Sequence, residues 1–302
     1  MSTPLSRRGF LTLSASAALF AAGCGSDKPG EVAKDGSVTV KHVFGETKIP
    51  APPARVVSAG LTEQDDLLAL GVVPIAVTDW FGAEPFAVWP WAQPKLGGAQ
   101  PVVLSLADGL QIDQIASLRP DLIVATNAGL DQDTYNRLSG IAPTIAQAGQ
   151  DAFFEPWKDQ ASAVGQAVFK HDEMTALIAG VDQKFLAVAE ANPSFAARKV
   201  MLLQGRLERG EPATLSPGWR GDFLTQMGFA LADGMDSADV LIWCTESDEE
   251  QAALLADPAV AQRGKRNLFT GKELAGAIAF ASPLSYPLVA DRLPARIASA
   301  LA

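Results

Sequence analysis

The chain has 302 residues, 48% of them hydrophobic, enough to bury the core of one large or two medium domains. A formal charge of -10 argues against nucleic acid as a partner. With two His and two Tyr, far too few to converge on zinc or on bare ferric iron, any metal has to arrive already wrapped by a chelator.

At the amino end, Ser6-Arg7-Arg8-Gly9-Phe10-Leu11 is a twin-arginine pattern, followed by an apolar run of small residues from Leu13 to Phe20 and by Ala21-Ala22-Gly23-Cys24. The run is too short to span a bilayer, and its basic front fits an export signal over residues 1–23. Cys24 directly after small residues resembles a bacterial lipobox, with Ala21 where that motif usually has Leu. Cys24 is then the lipid attachment; an ordinary cleaved signal with Cys24 incidental is the alternative. Cleavage there removes Arg7 and Arg8 and no acid, taking the charge to -12. Residues 24–37 are polar and Gly-rich, a flexible tether. A diacylated end would hold the protein on the outer face of the cytoplasmic membrane.

Residues 38–150 read as a first α/β lobe. Arg55–Ser58 is a strand, and Thr62–Leu70 a helix with Thr62 as N-cap, Asp65 completing a capping box and Gly71 ending it. Strands follow at Pro74–Val77, Asp121–Ala125 and Pro143–Ala146, with helices at Gln111–Leu118 and Asp131–Ser139. Residues 151–193 break the rhythm: Met174, Leu177, Ile178, Val181, Phe185 and Val188 recur at helical spacing until Pro193, predicting one helix of about twenty residues, roughly 30 Å long. Residues 194–302 read as a second lobe, with strands at Arg198–Gln204, Asp239–Cys244 and Asn267–Thr270. Its helices are Trp219–Met227, Glu249–Leu255 and Leu284–Leu301. Continuous apolar strands alternating with amphipathic helices predict an α/β fold of two parallel-sheet, Rossmann-like lobes joined by one long α-helix. In such sheets ligands sit outside the carboxyl ends of the strands, so two facing lobes share one cleft.

The stretch 77–94, VTDWFGAEPFAVWPWAQP, begins at a strand end and places Trp80, Phe81, Phe86, Trp89 and Trp91 on the cleft rim. About half of these rings are expected to touch ligand and half to pack beneath as a satellite core. Thr62, Asn127, Trp219, Trp243, Glu246 and Tyr286 stand at other strand or helix ends, with Arg220 beside Trp219. Arg206 and Arg209 are ligand contacts or solvated surface residues. The anion site at the Ser58–Thr62 helix start is weakened by Glu63, Asp65 and Asp66. Cys244, in an apolar run, reads as a small buried hydrophobe; a Cys24–Cys244 disulfide is the competing reading. No Gly-x-Ser-x-Gly or phosphate-loop pattern occurs and neither His stands at a strand end, so no enzyme is expected.

An exported lipoprotein with two α/β lobes and a helical linker resembles the solute-binding proteins of ABC importers for iron-siderophores, haem and vitamin B12, and among them the actinobacterial ferric-siderophore binders. The resemblance rests on Ile49-Pro50, Pro53-Ala54-Arg55-Val56-Val57, Glu63-Gln64, Leu67-Leu68-Ala69-Leu70-Gly71-Val72, Pro74 and Ile112, Ile115, Leu118, Pro120-Asp121-Leu122-Ile123. It covers roughly residues 40–302. It implies a monomer in the periplasm or cell envelope that captures a ferric-siderophore and delivers it to ABC permease subunits, with no cofactor and no protein-ligated metal. Haem or a cobalamin-like ring is the alternative ligand, with Tyr286 as axial candidate, and an envelope scaffold that has lost its ligand is another. It also implies permease docking through Asp113, which otherwise simply favours a helix N-terminus. Family members carry a longer segment, with a second docking acid, where this chain has only residues 232–238. Asp233 or Asp236 are the substitutes at hand.

Overall fold

The computed structural model describes residues 28–302; the twin arginines, the apolar run and the proposed lipid attachment at Cys24 lie outside the described residues. The body opens with an antiparallel hairpin, β1 (Val38–His42) and β2 (Gly45–Ile49), whose alternation buries Val38, Val40 and Ile49. The first lobe follows as β3 (Val56–Ser58), α1 (Glu63–Ala69), β4 (Ala76–Thr78), β5 (Val102–Leu104), α2 (Ile112–Ser117), β6 (Leu122–Ala125), α3 (Gln132–Ser139) and β7 (Thr144–Ala146). Its strands are all parallel, in the order β5-β4-β3-β6-β7. The central strands β3 and β6 are apolar except for Ser58 and are fully buried because helices cover both faces. The chain winds out from β3 to β5 and returns on the other side at β6. The crevice at the carboxyl ends of β3 and β6 is therefore a topological switch point.

The region expected to hold one long helix holds two, α4 (Trp157–Ala167) and α5 (His171–Ala191). They are separated by a turn in which Phe169 takes φ 62° and Lys170 N donates to Gly165 O at 2.8 Å. Gly165 permits the turn: a Cβ there would stand 2.6 Å from the Met174 Cβ. Of the spaced apolar residues of α5, Met174, Val181 and Phe185 face inward and are buried.

The second lobe comprises β8 (Lys199–Glu208), β9 (Glu211–Thr214), α6 (Asp222–Gln226), β10 (Ala230–Leu231), β11 (Val240–Cys244), α7 (Asp248–Leu255), α8 (Pro258–Ala261), β12 (Asn267–Phe269), α9 (Lys272–Phe280) and α10 (Ser285–Leu301). Strands β10-β8-β11-β12 are parallel, and β9 folds back antiparallel onto β8. The switch point of this sheet lies between β8 and β11, where Gln204 pairs with Cys244. The short 232–239 segment crosses at the other end. Leu231 and Val240 both align with Val200, and the Asp239 carboxylate accepts from Lys199 N at 2.8 Å. Its brevity leaves the carboxyl ends of the strands untouched.

One core runs through both lobes. It joins Val56 and Leu122 of the first sheet to Ala161 and Phe185 of α4 and α5, and these to Val200, Ile242 and Leu293 of the second lobe.

Candidate ligand-binding site

A cavity of about 340 Å³ lies between the lobes, at the carboxyl ends of β8 and β11. Small-molecule sites run from about 300 to 1,000 Å³ and favour such switch points. The first lobe contributes Trp80 and Phe81, which follow β4; Phe154 comes from the segment before α4. The second lobe contributes Gln204, Gly205 and Arg206 of β8, Leu215 and Ser216 after β9, Arg220, Cys244, Glu246, Glu250, and Ala275 and Ala279 of α9.

The ring wall is held from behind. Trp80 meets Phe81 edge-on at 4.6 Å between centroids and lies tilted against Phe154 at 5.1 Å and Phe280 at 5.8 Å. Gly82, at φ 93°, turns the chain there; a Cβ on it would sit 2.5 Å from the Trp89 ring. On the second lobe Gly205 serves the same purpose, since a Cβ would meet Cys244 O at 2.4 Å. Only glycine lets the end of β8 pass so close to β11.

Two guanidiniums and two carboxylates line the cavity. Arg206 is exposed at its mouth. Arg220 is buried, donates to Ala279 O at 2.6 Å, and lies over the rings of Phe154 at 4.6 Å and Trp219 at 5.2 Å. Burial lowers its pKa from the ordinary value, and among the described residues it has no ion-pair partner. Glu250 accepts from Glu246 N at 2.6 Å, and Ser247 caps α7 by accepting from Glu250 N at 3.2 Å. Glu246 has its pKa raised, by burial first and by the charge of Glu250 second, against a pull from Lys272. Burial pushes the Cys244 thiol up to about 12, which keeps it in the neutral thiol form near pH 7. Cys244 is free.

Of the residues singled out in the sequence, Trp80, Phe81, Arg206, Arg220 and Glu246 converge on this cavity. Trp219 stands just behind, its indole N–H donating to Phe154 O at 2.9 Å. Others require correction. Trp89 is 1% exposed, pressed between Gly82 and Gly276 and stacked on Trp91 at 4.9 Å. Trp91 directs its indole N–H to Asp65 at 2.8 Å, and Phe86 packs on the small core of Leu68, Val88 and Ala92. Trp243 is buried on the opposite face of β11 from the cavity, with its N–H donating to Asn267. Tyr286 is buried among Trp157, Phe185 and Phe223 and does not line the cavity, so it is no axial haem ligand there. Arg209 stands at the tip of the β8–β9 hairpin, exposed and away from the cavity. Asp113 is exposed in the first turn of α2.

Thr62 and Asn127 mark the switch point of the first sheet, and that crevice is already filled by the protein. Glu63 accepts there from Asn127 N at 2.8 Å, Thr126 Oγ1 at 3.2 Å and Thr62 N at 3.1 Å. Thr62 therefore does not cap α1. Its hydroxyl donates to Gln160 at 3.1 Å, and Asp65 reaches Trp91 and Ser282 instead of closing a capping box. Gly60 makes room for the Glu63 carboxylate, which would lie 2.1 Å from a Cβ.

Phe154, Gln204 and Glu250 were not anticipated. Phe154 carried a signal: two adjacent rings, Phe153-Phe154, in a polar loop after a strand. Glu250 sits three residues after the N-cap Ser247, a spacing that points its carboxylate back at the preceding strand end. Among the described residues no group of three or more His, Cys, Asp or Glu is arranged to hold a metal ion, and no helix is long and apolar enough to cross a membrane.

The sequence profile of periplasmic binding proteins matches residues 56–241. A crystal structure of a periplasmic solute binding protein from Mycobacterium smegmatis is 63% identical, with a TM-score of 0.87 over 89% of this chain and 100% of that one. The Bacillus subtilis lipoprotein YhfQ, named for ABC transporter substrate binding, is 30% identical over 211 residues, 70% of this chain and 64% of YhfQ. YfiY of the same organism, named "Probable siderophore-binding lipoprotein", is 32% identical over 161 residues, 53% of this chain and 47% of YfiY. The chain thus spans between about half and two thirds of the length of these two curated relatives. The match runs from β3 through the first lobe and the linker into β11 of the second lobe, and the chain belongs to the periplasmic binding proteins, a family of binders rather than enzymes.

Proposed function

We propose that this protein is an exported, lipid-anchored receptor that captures a ferric-siderophore between its lobes and hands it to an ABC importer. The observation that carries this reading is the pairing, in one interlobe cavity, of the rings of Trp80, Phe81 and Phe154 with the guanidiniums of Arg206 and Arg220. A ferric-siderophore has an organic envelope that suits aromatic faces and metal-bound oxygens that suit guanidinium donors. The name of YfiY points to the same ligand class. Lys and His are missing from the cavity wall, and the family is one of binders, which together favour capture of a ligand over chemistry on it. Export and anchoring rest on Arg7-Arg8 and Cys24, and docking on the exposed Asp113.

Tryptophan fluorescence titrations with ferric and iron-free siderophores test the reading. The ferric forms are expected to quench saturably at micromolar concentration or below. Trp80→Ala with Phe81→Ala should abolish binding while the far-ultraviolet circular dichroism is kept. Absence of saturable quenching by every siderophore class would overturn it.

A further inference from the structure

We propose that the cavity selects chelates by charge, taking ferric complexes that are neutral or carry a cationic arm and rejecting trianionic tris-catecholate complexes. This rests on the capture reading above and specifies its ligand class.

The cavity wall carries Arg206 and Arg220 together with Glu246 and Glu250, so its formal charges cancel. Lys272, whose charge acts on Glu246, is already committed: its Nζ lies 2.7 Å from the Glu84 carboxylate. Arg220 is only partly available, since one of its nitrogens is bonded to the Ala279 carbonyl and its faces are covered by Phe154 and Trp219. It can serve one ligand oxygen but cannot neutralise a trianion. Of the two carboxylates Glu250 is fixed in place, while Glu246 stands exposed on the cavity wall. Glu250 is held by Glu246 N and by its position in the first turn of α7, and the Gly205 backbone passes within contact of it. A polyanion entering would be brought against both of them, with Glu250 half-buried, and like charges set side by side in this way cost several-fold to many-fold in affinity. The long-range field gives no compensation, because the chain carries -10 overall. A hydroxamate complex is neutral, and a pendant ammonium or amide could face Glu246 while the metal-bound oxygens face Arg220.

The test compares three probes by tryptophan quenching: ferrichrome, a neutral tris-hydroxamate; ferric desferrioxamine B, which carries a pendant ammonium; and ferric enterobactin, a trianionic tris-catecholate. The first two are expected to bind about ten-fold or more tightly than the third. Glu246→Gln with Glu250→Gln should tighten ferric enterobactin about ten-fold and weaken ferric desferrioxamine B. Glu246→Gln alone, which leaves the α7 start intact, should move both in the same directions by less. Equal affinities, a wild-type preference for the trianion, or a ranking untouched by these variants would overturn charge selection while the capture reading stands. Failure of all three probes and of every other siderophore to bind would overturn both.

Discussion

Asp65 is fully buried, with one carboxylate oxygen taking hydrogen bonds from Trp91 Nε1 at 2.8 Å and Ser282 Oγ at 2.6 Å and the other without a partner. Beside it Asp66 accepts from Gln160 at 2.7 Å, Glu63 fills the first switch point, and Glu155 accepts from Ala148 N at 2.7 Å. None of the four has a basic partner within ion-pair distance among the described residues. Burial therefore raises all four: Asp65 to about 6, Glu155 to about 7, Glu63 upward, and Asp66 well up with the neighbouring charges adding to burial. The folded chain then holds protons that the unfolded chain releases near pH 4. The contribution of these four to stability is greatest below that point and falls as the pH rises through the folded values, from about pH 4 to 7. His42, whose pKa burial lowers, works the other way, as do the exposed Asp35, Asp131, Asp233 and Glu249, whose lowered values confine their effect to pH below the ordinary carboxylate range. The urea midpoint should be higher at pH 5 than at pH 8. Asp65→Asn, which keeps an acceptor for Trp91 and Ser282, should raise the pH 8 midpoint, by up to about 3 kcal/mol in unfolding free energy, and flatten the profile. A midpoint that climbs with pH would contradict this account of the acids.

The aromatic stretch between β4 and β5 is best understood with α9, the helix it packs against. The Trp89 ring rests on Gly276 of α9, where a Cβ would come within 2.5 Å of it, and Lys272 at the start of α9 lies 5.6 Å over the same ring. A Gly→Ala change in a helix interior ordinarily stabilises by about 1 kcal/mol. At Gly276 the added methyl meets a ring that Gly82 and Trp91 hold from other sides, and overpacking of this kind costs about 1–3 kcal/mol. Gly276→Ala should thus lower the urea midpoint, whereas Gly180→Ala in α5, where a Cβ meets nothing within 4 Å, should raise it. The central strands and α5 were legible because their apolar runs and 3.6-residue spacing are carried locally. Helix α9 was not, since Leu274, Ala275, Ala277, Ile278 and Phe280 bury it nearly all round and leave no polar stripe to give a period. The cavity was legible where residues stand at strand ends, as Trp80, Arg206 and Glu246 do. It was illegible where one step of alternation decides the face: on β11, Cys244 reaches the cavity and its neighbour Trp243 points into the core behind. Phe154 escaped because the helix that follows it, α4, was hidden inside the expected single linker.

Lobes that share an ordinary, rather polar contact move relative to one another. Here the contact is apolar and continuous, since one core joins β3 and β6 to β8 and β11 through α4 and α5. Polar ties also cross between the first lobe with its linker and the second, among them Lys184–Asp291 and Gln226–Asp182 from α5. Ser282 of the α9–α10 turn donates to Asp65, the Trp219 indole donates to Phe154 O, and Lys272 pairs with Glu84. A closing hinge would have to break the bond to a buried carboxylate and draw Trp89 off Gly276, leaving polar atoms and a cavity behind. The interlobe cavity is therefore preformed, and on the proposed function a ligand would enter a fixed receptacle. Small-angle scattering curves of the chelate-free and chelate-loaded protein should superimpose. Trp89→Ala, which opens the contact at a cost of about 3–5 kcal/mol in stability, is the variant expected to gain a ligand-dependent change in the curve. If the wild-type radius of gyration shrank on loading, the ties described above would have to open in solution, and capture would proceed by closure of the lobes rather than by entry into a standing cleft.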